Sequence, residues 1–163
     1  MINFQVESVT AILEEVKPLL EEHWREIALY QDQFPLNPNY EKYKALDSMG
    51  MVHVVTARVG VMGHGSSSKG ELIGYYISFV MPHLHYQDCI IAINDILFLK
   101  KEHRHSRAGY GLIRFAEQEL KKIGVHRMIM HIKLDHDISP LLKRMGFTAT
   151  EWNFEKLLNR RIV

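Results

Sequence analysis

A long apolar run from Asp88 to Lys100 constrains the fold of this chain more than any other segment. It contains Cys89-Ile-Ile-Ala-Ile93 and Ile96-Leu-Phe-Leu99, separated only by Asn94 and Asp95. A run of this length that is rich in β-branched and aromatic residues is typical of a strand buried on both faces. We therefore predict a central strand here, in a sheet that helices cover on both sides.

The first fifty residues combine a short strand with helical periodicity. Residues 2–6 predict a first strand, and from Ser8 the apolar side chains recur at intervals of three and four: Val9, Ile12, Leu13, Val16, Leu19 and Leu20. Pro18 lacks a backbone donor and crowds the preceding turn, so we expect it to kink this helix or divide it into two. Asn39 is a favourable cap for a second helix from Tyr40 to about Met49.

The rest of the chain has the pattern of a mixed sheet. Strands are predicted over 51–58 and 71–80, with the Gly- and Ser-rich segment 60–70 as a hairpin loop between them. Helix and strand patterns then alternate after the apolar run: a helix over 109–123, a strand over 127–132, a helix over 139–145, and a last strand, or strand and helix, over 147–158.

Size and charge bound the class of protein. With 163 residues the chain matches one domain, and its formal net charge of +1 gives no strong field for nucleic acid or an anionic membrane. No stretch approaches the ~18 apolar residues of a membrane span. The N-terminus has neither the basic nor the apolar region of a secretory signal, so we expect a cytoplasmic protein.

The cysteine and histidine pattern does not favour a metal site. Cys89 is the single cysteine, which excludes an intrachain disulfide. His83 and His85 could combine with Cys89 or His53, but no third ligand has a recognisable spacing. We therefore predict no bound metal.

The turn Arg104-His-Ser-Arg-Ala-Gly109 lies between the apolar run and the predicted helix that follows. The first turn of a helix leaves backbone N–H groups unpaired and its dipole favours negative charge. Gly109 would allow a phosphate to approach closely, Arg104 and Arg107 add positive charge, and Ser106 could cap the helix or bind a phosphate oxygen. A surface turn with two solvated arginines explains the hexapeptide equally well.

The surrounding residues favour the phosphate site. The segment from Leu97 to Ile113 resembles motif A of the GNAT superfamily of acetyltransferases, in which a buried strand is followed by Arg/Gln-x-x-Gly-x-Gly/Ala and a helix that begins with paired aliphatic residues. Arg104 matches the Arg/Gln, Gly109 the final Gly/Ala, and Leu112-Ile113 the aliphatic pair. Arg107 replaces the first glycine, which puts the local geometry of the turn in question.

A rival alignment begins at Ser106 and keeps two glycines, Gly109 and Gly111. It loses the basic residue and shifts the strand by two positions. The first alignment is preferred because strand and helix both fit without an insertion.

A second similarity lies downstream. Leu141-Leu-Lys-Arg-Met-Gly-Phe147 resembles motif B, in which a short helix ends in Gly-Phe. The tyrosine that many GNAT enzymes carry there, as the acid for the departing thiolate, is replaced by Leu142. Pro82-His-Leu-His-Tyr86 resembles a subgroup of small GNAT-like proteins often found in phage genomes.

The resemblance implies an α/β fold (α+β in some schemes), with a mixed, mostly antiparallel sheet of six to seven strands flanked by about four helices. Residues 1–163 would form one domain, with 8–50 as a helical arm over the acceptor site. It implies transfer of an acetyl group from acetyl-CoA, as co-substrate, to a primary amine of a small molecule or protein by direct attack. The alternative is a catalytically silent acyl-CoA-binding or protein-interaction module, and an open sheet edge could form a homodimer.

The resemblance also assigns site residues. Acetyl-CoA would be bound by the strand end and the turn, namely Leu97, Phe98, Leu99, Arg104, His105, Ser106, Arg107, Ala108, Gly109 and Tyr110. Aromatic residues of the arm would line the acceptor pocket or pack the arm onto the sheet, namely Trp24, Tyr30, Tyr40 and Tyr43. A water, Tyr110 or His136 could protonate the thiolate, or it could leave without an acid.

Asp95 is the candidate base. It is a carboxylate inside a very apolar strand and alternates in phase with Leu97 and Leu99. Burial would raise its pKa towards a useful value, and the GNAT family often has an acidic residue on this strand. The alternative is that Asp95 or Asn94 marks a β-bulge and is satisfied by backbone donors.

Overall fold

The structure, a computed structural model, describes residues 1–60 and 69–158, so most of the predicted hairpin loop lies outside the described residues. The regular elements of the described residues are β1 (Ile2–Val6), α1 (Val9–Ile27), α2 (Tyr40–Ser48), β2 (Val52–Val59), β3 (Glu71–His83), β4 (Tyr86–Leu99), α3 (Ala108–Lys122), β5 (Arg127–Ile129) and α4 (Ser139–Arg144). No helix among them is long and apolar enough to cross a membrane.

The strands form one sheet in the order β1-β2-β3-β4-β5. The first four are antiparallel neighbours, and β5 runs parallel to β4. The mixed, mostly antiparallel sheet and the four helices are confirmed, but the described residues contain five strands rather than six to seven. The predicted last element is wrong, because residues 147–158 have no regular secondary structure. A strand pattern alone does not supply the neighbouring strand that a ladder requires.

Contacts group the chain into two compact units. The first contains Met1–Lys17 and Asn39–His131, and therefore the whole sheet, α2, α3 and the first half of α1. The second contains Pro18–Pro38 and the chain from Ile132 onward, which includes α4. That residues 1–163 act as one domain stays a prediction.

Helix α1 continues through Pro18 from Val9 to Ile27, so its predicted division into two helices is wrong. The missing donor of a proline costs one hydrogen bond. The apolar stripe of α1 runs past this position, since Ile12 and Val16 before it and Leu19 after it are all buried. Burial along the whole stripe favours one helix over two.

Within the first unit, helices lie on both faces of the sheet, as predicted. Helix α3 packs against β1 to β4, and its contribution to the core includes Leu112 and Ala116 beside Val55 and Ala57 of β2. The opposite face of β2 carries Arg58, whose guanidinium bonds the α1 residue Glu15. The alternation of side chains along β2 separates these two sets.

Arg58 and Glu7 are the buried members of an ion-pair network that reaches the surface at Glu15. It is only 1% exposed, and its Nε and Nη1 lie 2.8 and 2.7 Å from carboxylate oxygens of Glu7 and Glu15. The Gly70 carbonyl accepts a further bond from Nη1, and Thr56 donates to Glu7. These bonds join the end of β1, the first turns of α1 and the start of β3.

Gly111 allows α3 to pack closely on β1. A Cβ atom at this position would lie 2.5 Å from Cζ of Phe4, whose ring also packs against Phe115. We expect Gly111→Ala to lower the free energy of unfolding by about 1–2 kcal/mol, because the clash exceeds the gain in helix propensity. Urea denaturation measures the change.

Gly109→Ala is the matched control on the same helix. Its Cβ would meet only Cδ2 of Leu99 at 3.9 Å, an ordinary contact, so stability should be unchanged or slightly higher. Equal stability of the Gly111 variant and the wild type would contradict this account of the packing.

Candidate active site

A β-bulge interrupts β4 at Asp95. Ser78 of β3 pairs with Asn94 and Ile77 pairs with Ile96, so Asp95 has no partner residue on β3. The bulge that the sequence left as an alternative is therefore present. It does not exclude a role in catalysis, since an inserted residue re-aims its side chain and bulges are frequent next to active sites.

The bulge changes which face each side chain occupies. Ala92 before it and Leu97 and Leu99 after it all pack in the core with α3. The Asp95 carboxylate instead accepts a hydrogen bond from the hydroxyl of Tyr43 on α2, which lies on the other face. The prediction that Asp95 is in phase with Leu97 and Leu99 is wrong, because alternation assumes an uninterrupted strand.

The pairing of the two parallel strands β4 and β5 ends directly before the bulge. β5 pairs with β4 only from Ile91 to Ile93. The Asn94 amide then replaces a strand backbone: its Nδ2 donates to the His131 carbonyl at 3.0 Å, and the His131 N–H donates to its Oδ1. The strand predicted over 127–132 therefore ends at Ile129, and the described chain pairs no further strand with this edge of β4.

Beyond Ile93, backbone groups on this edge of β4 have no partner strand among the described residues. Lys100 donates its N–H to the Ile73 carbonyl at 2.8 Å, so it faces β3. Because strand residues alternate, Leu97 and Leu99 direct their N–H and C=O groups away from β3. The Leu99 carbonyl accepts a bond from Arg104 Nε at 2.7 Å. The Leu97 N–H consequently lies on the edge of β4 that no described strand pairs with beyond Ile93.

The predicted turn leads into α3. Ser106 caps the helix start: its Oγ accepts the Ala108 N–H at 3.1 Å and donates to the His103 carbonyl at 2.6 Å. In the described part of the chain, no acceptor is recorded for the N–H groups of Gly109 and Tyr110. These two donors are of the kind that binds anions at a helix N-terminus.

Arginine in place of the first motif glycine causes no strain. Arg107 has φ −78° and ψ 5°, which any L-residue can adopt, and its carbonyl accepts the Gly111 N–H. Gly111 is explained by its packing on Phe4, which supports the alignment that starts at Arg104. His105 and Arg107 are exposed beside the first turn of α3.

Comparison with protein-family profiles and with curated protein sequences gives no match. Solved structures are similar over nearly the whole chain. One is a ribosomal-protein-alanine N-acetyltransferase from Brucella melitensis biovar Abortus 2308 (15% identity, 96% of this chain and 98% of that chain, TM-score 0.67). Another is an aminoglycoside acetyltransferase from an uncultured soil metagenomic sample, in complex with sisomicin (13%, 97% and 97%, 0.71). A third is a transcriptional regulator from Bacillus halodurans C-125 (16%, 97% and 100%, 0.72).

The chain has the GNAT fold. At these identities the likeness concerns the fold alone, and the functions named for these proteins differ. What this GNAT-fold protein does must therefore be argued from its own residues.

Asp95 and Tyr43 form a hydrogen-bonded pair between β4 and α2. Protein atoms that displace water raise the pKa of Asp95 above its ordinary value, and the hydrogen bond from Tyr43 opposes this rise. Burial first, and then the bond to Asp95, raise the pKa of the Tyr43 hydroxyl. The sequence suggested Tyr43 as a pocket residue, but nothing in the sequence predicts its contact with a residue 52 positions away.

The other residues predicted to line the pocket for the acceptor amine lie in different units. Tyr40 is in the first unit, where Nζ of Lys17 lies 5.6 Å from the centre of its ring. Trp24 and Tyr30 are in the second unit, and Tyr30 has a positive φ of 58°. Their part in an acceptor pocket stays a prediction.

The structure also shows where the predicted candidates for a proton donor and for metal ligands lie. Leu142 is buried and apolar, so it cannot donate a proton. His136 Nε2 lies 3.4 Å from Oε1 of Glu26 within the second unit. The described residues contain no group of three or more His, Cys, Asp or Glu side chains placed to hold a metal ion.

Proposed function

We propose that this protein transfers the acetyl group of acetyl-CoA to a primary amine. The observation that carries the proposal is the end of the β4–β5 pairing at Ile93, directly before the side chain of Asn94 bonds the backbone of His131. The Leu97 N–H therefore lies on an edge of β4 that no described strand pairs with, and Leu99 on the same strand end is 3.9 Å from the Cβ position of Gly109 at the N-terminus of α3.

The turn before α3 supplies the pyrophosphate site. The N–H groups of Gly109 and Tyr110, together with the positive end of the helix dipole, would bind phosphate oxygens. Arg107 is exposed and adds charge, while Arg104 connects the turn to the end of β4 through the Leu99 carbonyl. Charge-assisted bonds of this kind are among the stronger ones in proteins.

The chemistry needs a base and an oxyanion donor. A neutral amine attacks the thioester carbon, so a C–N bond forms and the carbonyl oxygen becomes an oxyanion that the Leu97 N–H stabilises. Asp95 takes the proton that the attacking nitrogen loses. The C–S bond then breaks and the electron pair leaves on sulfur. A thiol pKa of about 8.5 lets the thiolate depart without an acid and take its proton from water.

Gly109→Glu should weaken acetyl-CoA binding by about tenfold or more, because its carboxylate occupies the space through which a phosphate approaches the helix N–H groups and repels the phosphate charge, whereas alanine is tolerated at this motif position. Isothermal titration calorimetry measures the dissociation constant. Gly111→Ala is the counterpart, because it should lose stability but keep its affinity. An unchanged affinity of Gly109→Glu would exclude the turn as the phosphate site.

The acceptor is proposed to be a primary amine on a small molecule or a protein. An aminoglycoside acetyltransferase and a glucosamine-6-phosphate N-acetyltransferase from Arabidopsis thaliana, both structurally similar, support the small-molecule class. A cytoplasmic location and a homodimer through an open sheet edge are part of the same proposal.

A catalytically silent acyl-CoA-binding or interaction module is the second candidate, and the buried Leu142 favours it. Release of free CoA thiol, measured with a broad panel of amines, separates the two. Release that depends on the amine supports the enzyme. Binding of acetyl-CoA without release across the panel supports the silent module.

A further inference from the structure

We propose that Tyr43 is a positioning residue for Asp95: it holds the carboxylate by Oδ2 and leaves Oδ1 as the atom that takes the proton of the attacking amine. The inference rests on the proposed acetyl transfer and deepens it. Tyr43 itself need not touch either substrate.

The hydroxyl of Tyr43 is held from a well-anchored helix. Its ring stacks on Phe79 of β3, with centroids 6.1 Å apart and an angle of 23° between the planes. Asn39 caps the start of α2 by accepting the Lys42 N–H at 2.9 Å, and Asp47 near its end accepts the Val9 N–H at 2.8 Å. Both ends of the helix are therefore held, and with them the position of the Tyr43 hydroxyl oxygen.

Asp95 needs such a contact more than its neighbours in β4 do. As the bulge residue it has no partner residue on β3, so the ladder does not define its orientation. Its side chain is exposed, and within the described residues the one recorded hydrogen bond to its carboxylate comes from Tyr43. Tyr43 thus fixes the rotamer that the strand pairing leaves free.

Other charged groups on the neighbouring elements are engaged elsewhere or face solvent. On α2, Lys44 pairs with Glu41 at 2.8 Å and Asp47 is bound to the N-terminus of α1. On the β5 side, Arg127 is exposed and His131 contacts Asn94 through its backbone. The facing residues of β3, Ile77 and Ser78, carry no charge.

The hydrogen bond from Tyr43 determines in which direction the pKa of Asp95 changes when the hydroxyl is lost. A donor to the carboxylate stabilises its charged form, so loss of the Tyr43 hydroxyl raises the pKa of Asp95 further above its ordinary value. The raised pKa of Tyr43 keeps its hydroxyl protonated, and hence a donor, in the neutral pH range. An enzyme whose general base has a higher pKa loses its activity at a higher pH when the solution is acidified.

Tyr43→Phe keeps the ring on Phe79 and removes only the hydroxyl. We expect the carboxyl carbon of Asp95, followed by NMR and assigned with Asp95→Asn, to titrate at higher pH than in the wild type. The acid limb of kcat/KM should move in the same direction. At its plateau, kcat should fall about tenfold, while KM for acetyl-CoA is unchanged. Tyr86→Phe, at the exposed end of β4, is the matched control and should match the wild type.

The titration and the activity distinguish two failures. An unchanged Asp95 titration in Tyr43→Phe, with the fold intact by circular dichroism, overturns the proposal at any level of activity. A shifted titration in a protein that releases no CoA thiol with any amine shows that the acetyl transfer itself is wrong, and the positioning role falls with it. A shifted acid limb with lowered kcat and constant KM supports both.

Discussion

Asp95→Asn is expected to lower kcat for acetyl transfer by roughly 10²- to 10⁴-fold, the usual contribution of a positioned general base. Asparagine has nearly the same shape and its carbonyl can still accept the bond from Tyr43, so the fold and the local geometry should persist. It cannot take a proton at neutral pH. The affinity for acetyl-CoA should stay the same, because the proposed binding site consists of the α3 turn and the backbone of β4.

A thiol-release assay and calorimetric binding, performed on the same preparations, check both halves of this expectation. Asp88→Asn is the control, since Asp88 is an exposed carboxylate at the far end of the same strand. In the wild type, activity should fall as the pH drops through the raised pKa of Asp95, and it should be lost from the low-pH side only. Full turnover by Asp95→Asn would remove Asp95 from the mechanism.

Arg58→Ala is expected to lower the free energy of unfolding by about 3 kcal/mol, because it removes the main partner of the buried Glu7 carboxylate and leaves it only the half-exposed Lys69 and the Thr56 hydroxyl. Glu7 is nearly as buried as Arg58, and both Glu7 and Glu15 bond the guanidinium through two oxygens. Urea denaturation at neutral pH measures the loss. Arg25→Ala is the control: its pair with Glu21 is exposed on α1, and such pairs contribute less than about 0.5 kcal/mol.

The same network should govern acid stability. The pKa of Glu7 is lowered to about 2: burial raises it, but hydrogen bonds with Arg58 first, and then with Thr56, Gln5 and Lys69, together outweigh burial. A carboxylate with a depressed pKa contributes stability above its unfolded value of 4.5, and the contribution is lost as the pH falls from there towards 2. In Arg58→Ala this acid-dependent loss should shrink. Identical pH dependence in both proteins would show that Arg58 does not set the pKa of Glu7.

Elements with a strong local period could be predicted well. The apolar run predicted a strand over 88–100 and β4 spans Tyr86–Leu99, while the helix predicted over 109–123 is Ala108–Lys122. Periodicity and capping are local properties, and they were sufficient here. Of the two outcomes predicted at Pro18, a kink or a division, the division is wrong because the burial of Leu19 beyond it is a tertiary property.

The site was harder to predict for a physical reason. Motif spacing predicted a phosphate site at the α3 turn, and the apolar surroundings of one carboxylate predicted Asp95 as the base; both assignments stay predictions. The face on which Asp95 lies depends on a register shift between two strands, and its bond to Tyr43 joins residues distant in the chain. Likewise, only the backbone angles of Arg107 show that a non-glycine residue fits the turn.

The bulge at Asp95 has a consequence for the pattern of core-facing residues in β4. If Asp95 is left out of the count, side chains alternate regularly between the two faces of β4. Ala92 and Asn94 then share a face with Leu97 and Leu99. The hydrophobic pattern of the strand is therefore complete without Asp95. A substitution at Asp95 can therefore test the proposed chemistry without altering the apolar residues with which β4 packs in the core.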